Sequence, residues 1–150
     1  VAEGIQAYVH AVNISRERSS SKTPQDRVVL QAGLGLQGDA HAGPGPREVS
    51  ILAWEKIEQT HAQGIHAGPG DFAENITTQG LDMSMVNVGT ILRVGEALLE
   101  VSGTGKPEWK PGDYSFNGRA LLAEEGLFAR VIEGGLVKPG DIVIIEKEKG

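Results

Sequence analysis

The chain has 150 residues, a size that suits one domain (1–150) built on a single core. Its formal net charge of −6 argues against a nucleic-acid binder, because that class draws affinity from lysine and arginine on phosphates. No stretch approaches the roughly 20 apolar residues that span a bilayer, and no basic start followed by an apolar run marks a leader, so no membrane role is expected and the expected location is cytoplasmic.

The opening "GIQAYVHAVNIS" alternates, with Ile5, Ala7, Val9, Ala11 and Asn13 on one face and His10 on the other, and predicts a first strand. "SRERSSSKTPQD" has the composition of a mobile loop with Ser19 to Ser21 at its tip, and "RVVLQA" restarts strand character. The apolar "VSIL" leads into "AWEKIEQTHAQG", where Trp54, Ile57 and His61 fall at helical spacings and Gly64 offers a stop; a helix over 53–63 is predicted. Strands are expected at 72–77, 90–94 and 97–102, closely connected through "VG" and "GE" turns. A long Gly/Pro loop, "GTGKPEWKPGDYSFNG", precedes a short helix in "RALLAEEG" that Gly126 ends. Strand, turn, strand and a charged tail close the chain. With 21 glycines, 7 prolines and no alternation of strands with helices, the pattern predicts a mainly β domain with minor helices, a mixed barrel-like or sandwich-like fold.

The pentapeptide HAGPG occurs at 41–45 and 66–70, but the flanking sequences diverge at once, so it marks two turns and not a structural repeat. Three loops carry residues capable of chemistry. "GLQGDAHAGPGPR" packs Asp39, His41 and Arg47 among glycines, which suits a concavity for an oxyanion or phosphate; the plainer reading is a turn whose Asp39 bonds its own backbone. "GPGDFAENITT" presents Asp71, Glu74, Asn75, Thr77 and Thr78, and strand alternation would face Glu74 away from Asn75; the alternative is an exposed edge strand. "GTGKPEWKPG" crowds Lys106, Glu108, Trp109 and Lys110. There a tryptophan beside lysines can stack a planar ligand and hold its anionic group, or can plug the end of the core. A metal site on His41 and His66 lacks any HExxH or cysteine pair, and His10 and His61 complete no ligand spacing. Serine catalysis has no G-x-S-x-G, and Ser50 and Ser102 have no evident base.

Taken in order, "GLQGDAHAGPGPREVSIL", "GPGDFAENITTQGLD", "VGTILRVGEALLEVSG", "GKPEWK" and "EEGLFARVIEGGLVKPGD" resemble the MOSC domain family, named for the C-terminal domain of molybdenum cofactor sulfurases; the likeness runs from about Val28 to Val143. The resemblance implies a β-barrel-like fold. It also implies a role around the molybdenum cofactor, as sulfur carrier, cofactor binder, or cofactor-bearing part of a reductase of N-hydroxylated compounds. Small stand-alone members of the family usually read "KPCWK" where this chain reads Lys106-Pro107-Glu108-Trp109-Lys110, so Glu108 stands in the cysteine's place. The chain holds no cysteine at all, and a carboxylate cannot hold a persulfide, though it can ligate molybdenum as a hard oxygen donor or carry a proton.

Carried over by motif, the resemblance places Gly38, Asp39, His41, Arg47, Phe72, Glu74, Asn75 and Arg130 around a ligand. With Lys106 and Trp109, the residue chemistry of Arg47, Asn75 and Arg130 suits a phosphate and a pterin edge. The expected function is binding of molybdenum cofactor or a related phosphorylated pterin, a small anionic ligand, without sulfur-carrier activity. Two alternatives stand beside it: a non-catalytic module that docks on a larger molybdenum enzyme or cofactor-biosynthesis protein, and a reductase or metal-assisted enzyme using Asp39, His41 and Glu108.

Overall fold

The computed structural model describes residues 7–17, 20–40, 48–105 and 114–147. In chain order the elements are β1 (Ala7–Ile14), β2 (Thr23–Gln25), β3 (Val28–Gln31), β4 (Gly35–Leu36), β5 (Val49–Ala53), α1 (Trp54–His61), β6 (Ile76–Gln79), a 3-10 turn at Met83–Met85, β7 (Ile91–Val94), β8 (Ala97–Thr104), α2 (Leu121–Glu125), β9 (Leu127–Glu133), β10 (Gly135–Val137) and β11 (Ile142–Lys147). Seven of the strands run in the order β11-β7-β8-β9-β5-β6-β1, and pairing of β1 with β11 closes them into a mixed β-barrel. A separate sheet, β10-β3-β4, stands beside it, and β2 extends β1 past the barrel rim.

Alternation explains the barrel. Leu92, Val94, Leu99, Val101, Ala129 and Val131 come from every second position of β7, β8 and β9, and with Val9, Ile51 and Ile76 they fill the interior. Each of the Leu, Val and Ile side chains among these contributes roughly 1.5–3 kcal/mol by leaving water, which is why these strands hold their register. A second, smaller core lies under the helices, where Leu52, Ile57, Ala67, Phe72 and Leu121 meet.

The mainly β barrel with minor helices is the expected architecture, with four local differences. Helix α1 stops at His61, because Gln63 and Gly64 turn back onto Thr60 and His61 and Gly64 takes φ +84°. The strand expected over 72–77 begins only at Ile76; Ala73 adopts φ 71°, a left-handed value that no strand continues through. Strand β2 and the buried Lys22 replace part of the expected mobile loop. One β-α-β unit does occur, since β5 and β6 pair in parallel across α1.

In β1 the register slips between Val9 and Ala11, so Val12 as well as Val9 reaches the apolar interior. Asn13, freed from that interior, is buried among polar groups instead. No helix among the described residues is long and apolar enough to cross a membrane.

Candidate functional site

The C-terminal end of β1 and the starts of β5 and β6 meet in a buried polar cluster. Asn75, just before β6, is its centre. Its Oδ1 accepts from the Ser50 backbone N–H at 3.0 Å and from the Ser50 hydroxyl at 3.1 Å, while its own N–H donates to Ser50 Oγ at 3.0 Å. Asn13 N–H donates to the Asn75 carbonyl at 2.7 Å, and Asn13 Nδ2 donates to the Glu74 carbonyl and to Thr77 Oγ1, both at 3.1 Å. An asparagine can satisfy several backbone groups at once, so it suits a place where three strands begin or end and leave ladder groups unpaired.

Glu74 is fully buried, and its Oε2 accepts from the Gly70 N–H at 2.8 Å and the Thr77 hydroxyl at 2.6 Å. Burial pushes its carboxyl up from the ordinary 4.5 to about 7; the two hydrogen bonds offset part of that, and the nearby Asp71 charge adds to it. Glu74 Oε1 and Asn13 Oδ1 have no hydrogen-bond partner among the described residues.

Beside this lies an ion pair. Gly38, at φ +85°, turns the chain after β4, and Ala40 N–H bonds the Ser15 carbonyl at 2.8 Å. Asp39 between them accepts from the Ser15 N–H at 3.0 Å and from Lys22 Nζ at 2.7 Å. The two charged side chains are 1 % and 2 % exposed. Burial alone would raise the Asp39 carboxyl; the Lys22 hydrogen bond and charge, the Ser15 N–H and the Asn75 side chain together hold it below the usual range.

Of the residues expected at a site, Asp39, Glu74 and Asn75 are therefore brought together, with Gly38 supplying the turn. Both Glu74 and Asn75 precede β6 and both are buried, with different side-chain partners: the Gly70 N–H and Thr77 hydroxyl for Glu74, and Ser50 for Asn75. Phe72 packs in the smaller core, its ring edge-on to Phe116 with centroids 5.7 Å apart, and so supports the loop from below. Arg130 is not drawn into the cluster: it stands half-exposed on β9 with Nε 3.4 Å from Glu100 Oε1 on β8. His41, Arg47, Lys106, Glu108 and Trp109 lie outside the described residues.

The chain that follows the last of those segments is nonetheless bonded beside the cluster. Tyr114 OH donates to the Asp71 carbonyl at 3.0 Å and lies 2.8 Å from Ser21 Oγ, beside Lys22 and one turn from Glu74.

No group of three or more His, Cys, Asp or Glu among the described residues could hold a metal. His66 is exposed, His61 bonds the Ala67 carbonyl at 2.7 Å, and His10 stacks on Trp54 with centroids 4.5 Å apart. Asn13, Ser15 and Lys22 were not among the expected site residues. Asn13 reads as one member of an alternating strand and Lys22 as a solvated residue of a serine-rich run, so neither sequence context carries a signal for burial.

A family model described as MOSC domain matches residues 37–144. Protein YiiM of Escherichia coli strain K12 is 34% identical over a stretch covering 71% of this chain and 50% of YiiM, so the chain spans half the length of that curated relative. Among solved structures, YiiM from Escherichia coli superposes with a TM-score of 0.67 at 26% identity, over 97% of this chain and 72% of that one. YuaD from Bacillus subtilis gives a TM-score of 0.71 at 20% identity, over 93% and 94%, a likeness of fold.

Proposed function

The chain belongs to the MOSC domain family, and from that premise we propose that it binds the molybdenum cofactor or a related phosphorylated pterin without carrying sulfur on a protein persulfide. The observation that carries this reading is the buried cluster of Lys22, Asp39, Glu74 and Asn75, which ties together two of the loops singled out in the sequence, while Tyr114 of the third bonds the neighbouring Asp71 carbonyl. An apolar barrel has no need of an ion pair that is desolvated on both sides. A site that must fix loops around a polar ligand does.

The described residues fit the organic part of such a ligand better than its metal. Most oxygens and nitrogens of the cluster are taken up by backbone groups and by one another, and no group of three or more His, Cys, Asp or Glu that could hold a metal stands among the described residues. In this reading Arg47 and Lys106 meet the phosphate, Trp109 stacks the pterin ring, and Glu108 offers a hard oxygen donor or a proton carrier. When bound, the cofactor would supply redox chemistry at its metal, while this chain binds and orients it. With no cysteine in these 150 residues, a thiolate-borne persulfide has no atom to form on.

A second reading is delivery or docking, in which the domain passes cofactor to a larger molybdenum enzyme or a cofactor-biosynthesis protein. Ile142 and Ile144, each 46% exposed, favour it: they line a shallow groove of about 330 Å³ with Ala7 and Leu81 on the outer face of β11. Anaerobic titration of the purified protein with molybdenum cofactor tests the main reading. Saturable binding that weakens on Arg47→Ala supports it; no binding, or binding indifferent to Arg47→Ala, ends it.

A further inference from the structure

The expected mobile loop holds one residue that touches both HAGPG-adjacent loops. Lys22 N–H donates to the Gly70 carbonyl at 2.7 Å, and Gly70, at φ +85°, lies so close to the Lys22 carbonyl oxygen that an added Cβ would run into it. The lysine side chain goes the other way. Its Nζ reaches Asp39 Oδ1 at 2.7 Å and Ser15 Oγ at 3.3 Å, and Asp39 in turn takes the Ser15 N–H. Ser21, the preceding residue, donates to the Asp71 carbonyl at 3.2 Å and meets Tyr114 at 2.8 Å, where the chain returns from the third loop.

We propose that Lys22 is a positioning residue for the ligand site: it sets the spacing between the 38–40 turn and the 68–74 turn, and ligand affinity depends on it although it is 3% exposed. The inference rests on the functional reading above but makes a separate structural claim. A buried ion pair adds little net stability over apolar replacements, because desolvating both charges costs as much as their attraction returns. What it supplies is geometry. The ammonium is a point charge on a long stem that can be satisfied in one place only, by a carboxylate held by a second donor. Ser15 N–H and the Asn75 side chain are those further donors to Asp39, so the lysine, the turn and the asparagine at the start of β6 fix one another. A shift of about 1 Å in such a support is enough to lower binding or rate by a large factor.

The test uses the whole chain and three forms of it. Lys22→Met takes the ammonium away from the buried Asp39, which keeps the Ser15 N–H; Lys22→Met with Asp39→Asn removes both charges and is expected to fold even if the single variant does not. Lys22→Cys, alkylated in the unfolded state to aminoethylcysteine and refolded, restores an ammonium at the same reach, and the absence of any other cysteine makes that modification specific. Molybdenum cofactor is titrated anaerobically into each, and amide exchange is followed in parallel.

The expected result is a loss of affinity of roughly tenfold or more in the Met forms and recovery in the aminoethylated form. Exchange should accelerate at Ser15 and Ala40 while the Val101 amide, bonded to Thr90 within the barrel, keeps its protection. Unchanged affinity in the double variant overturns the proposal. If the wild-type chain binds no cofactor, the functional reading fails and exchange decides the structural claim alone: faster exchange confined to Ser15 and Ala40 upholds Lys22 as the residue that spaces the two turns, and unaltered exchange overturns it.

Discussion

Replacing Glu74 with glutamine should change how stability depends on pH. The native carboxyl, buried and raised to about 7, holds a proton between its ordinary 4.5 and about 7, where the unfolded chain has released it. The unfolded state therefore binds fewer protons in that window, so the Glu74 contribution to stability is fully present below about pH 4.5 and is lost as pH rises through about 7. The gap between the two values corresponds to a ceiling of about 3 kcal/mol. Glutamine cannot ionise. Its amide oxygen can take the Gly70 N–H and Thr77 hydroxyl that now meet Oε2, and its NH₂ falls where Oε1 has no partner among the described residues, a roughly constant cost of about 1–3 kcal/mol.

The informative quantity is thus the change with pH of the difference between the two proteins, from which that constant cost drops out. Urea unfolding at half-unit steps from pH 4 to 8 should show the difference moving in favour of Glu74→Gln by up to about 3 kcal/mol, nearly all of it between pH 4.5 and 7. A difference that stays flat to within about 0.5 kcal/mol across that window would refute the claim that Glu74 is neutral in the folded protein at mildly acidic pH. The Asp39 carboxylate works in the opposite sense, below pH 3.8, and so does not overlap.

Three further outcomes follow from the same geometry. Gly70→Ala combines a left-handed φ with a collision against the Lys22 carbonyl and should cost about 2 kcal/mol or more in urea unfolding, whereas Gly64→Ala, at a similar φ with open space around it, should cost about 1 kcal/mol. Asn75→Ala strips the acceptor from the buried Ser50 N–H and hydroxyl, a loss of about 2 kcal/mol that calorimetry should register as a fall in Tm of roughly 4–8 °C. Arg130→Ala removes only a half-exposed pair with Glu100, and its unfolding free energy should stay within about 0.5 kcal/mol of wild type.

Legibility in the sequence followed the range of the interactions concerned. Strands β7, β8, β9 and β11 carry the alternation of a barrel wall, and the two-residue Gly95-Glu96 turn connects the paired β7 and β8, so local pattern and tertiary role agree. Strand β4 is two residues long and β2 three, too short for any period to register. The strand expected from Phe72 begins only at Ile76, because Ala73 takes a left-handed turn that the sequence "DFAEN" gives no glycine to announce.

At the site, Asp39 and Asn75 were singled out by loop composition. What they bond to was not visible: Lys22 lies 17 residues from Asp39, in a run of serines that reads as solvated, and Ser50 meets Asn75 only because β5 and β6 pair in parallel. Burial of a lysine is a tertiary fact, decided by whether a carboxylate arrives at the same place.

Binding of the molybdenum cofactor at the loops around the Lys22–Asp39 pair is the central claim, and hydrogen exchange of the free and cofactor-treated protein under anaerobic conditions tests it most directly. Slowed exchange confined to 38–48, 68–75 and 104–114, with the β10-β3-β4 sheet unaffected, is the predicted result. No change on adding cofactor, or protection that falls instead on the outer face of β11 around Ile142 and Ile144, would contradict it.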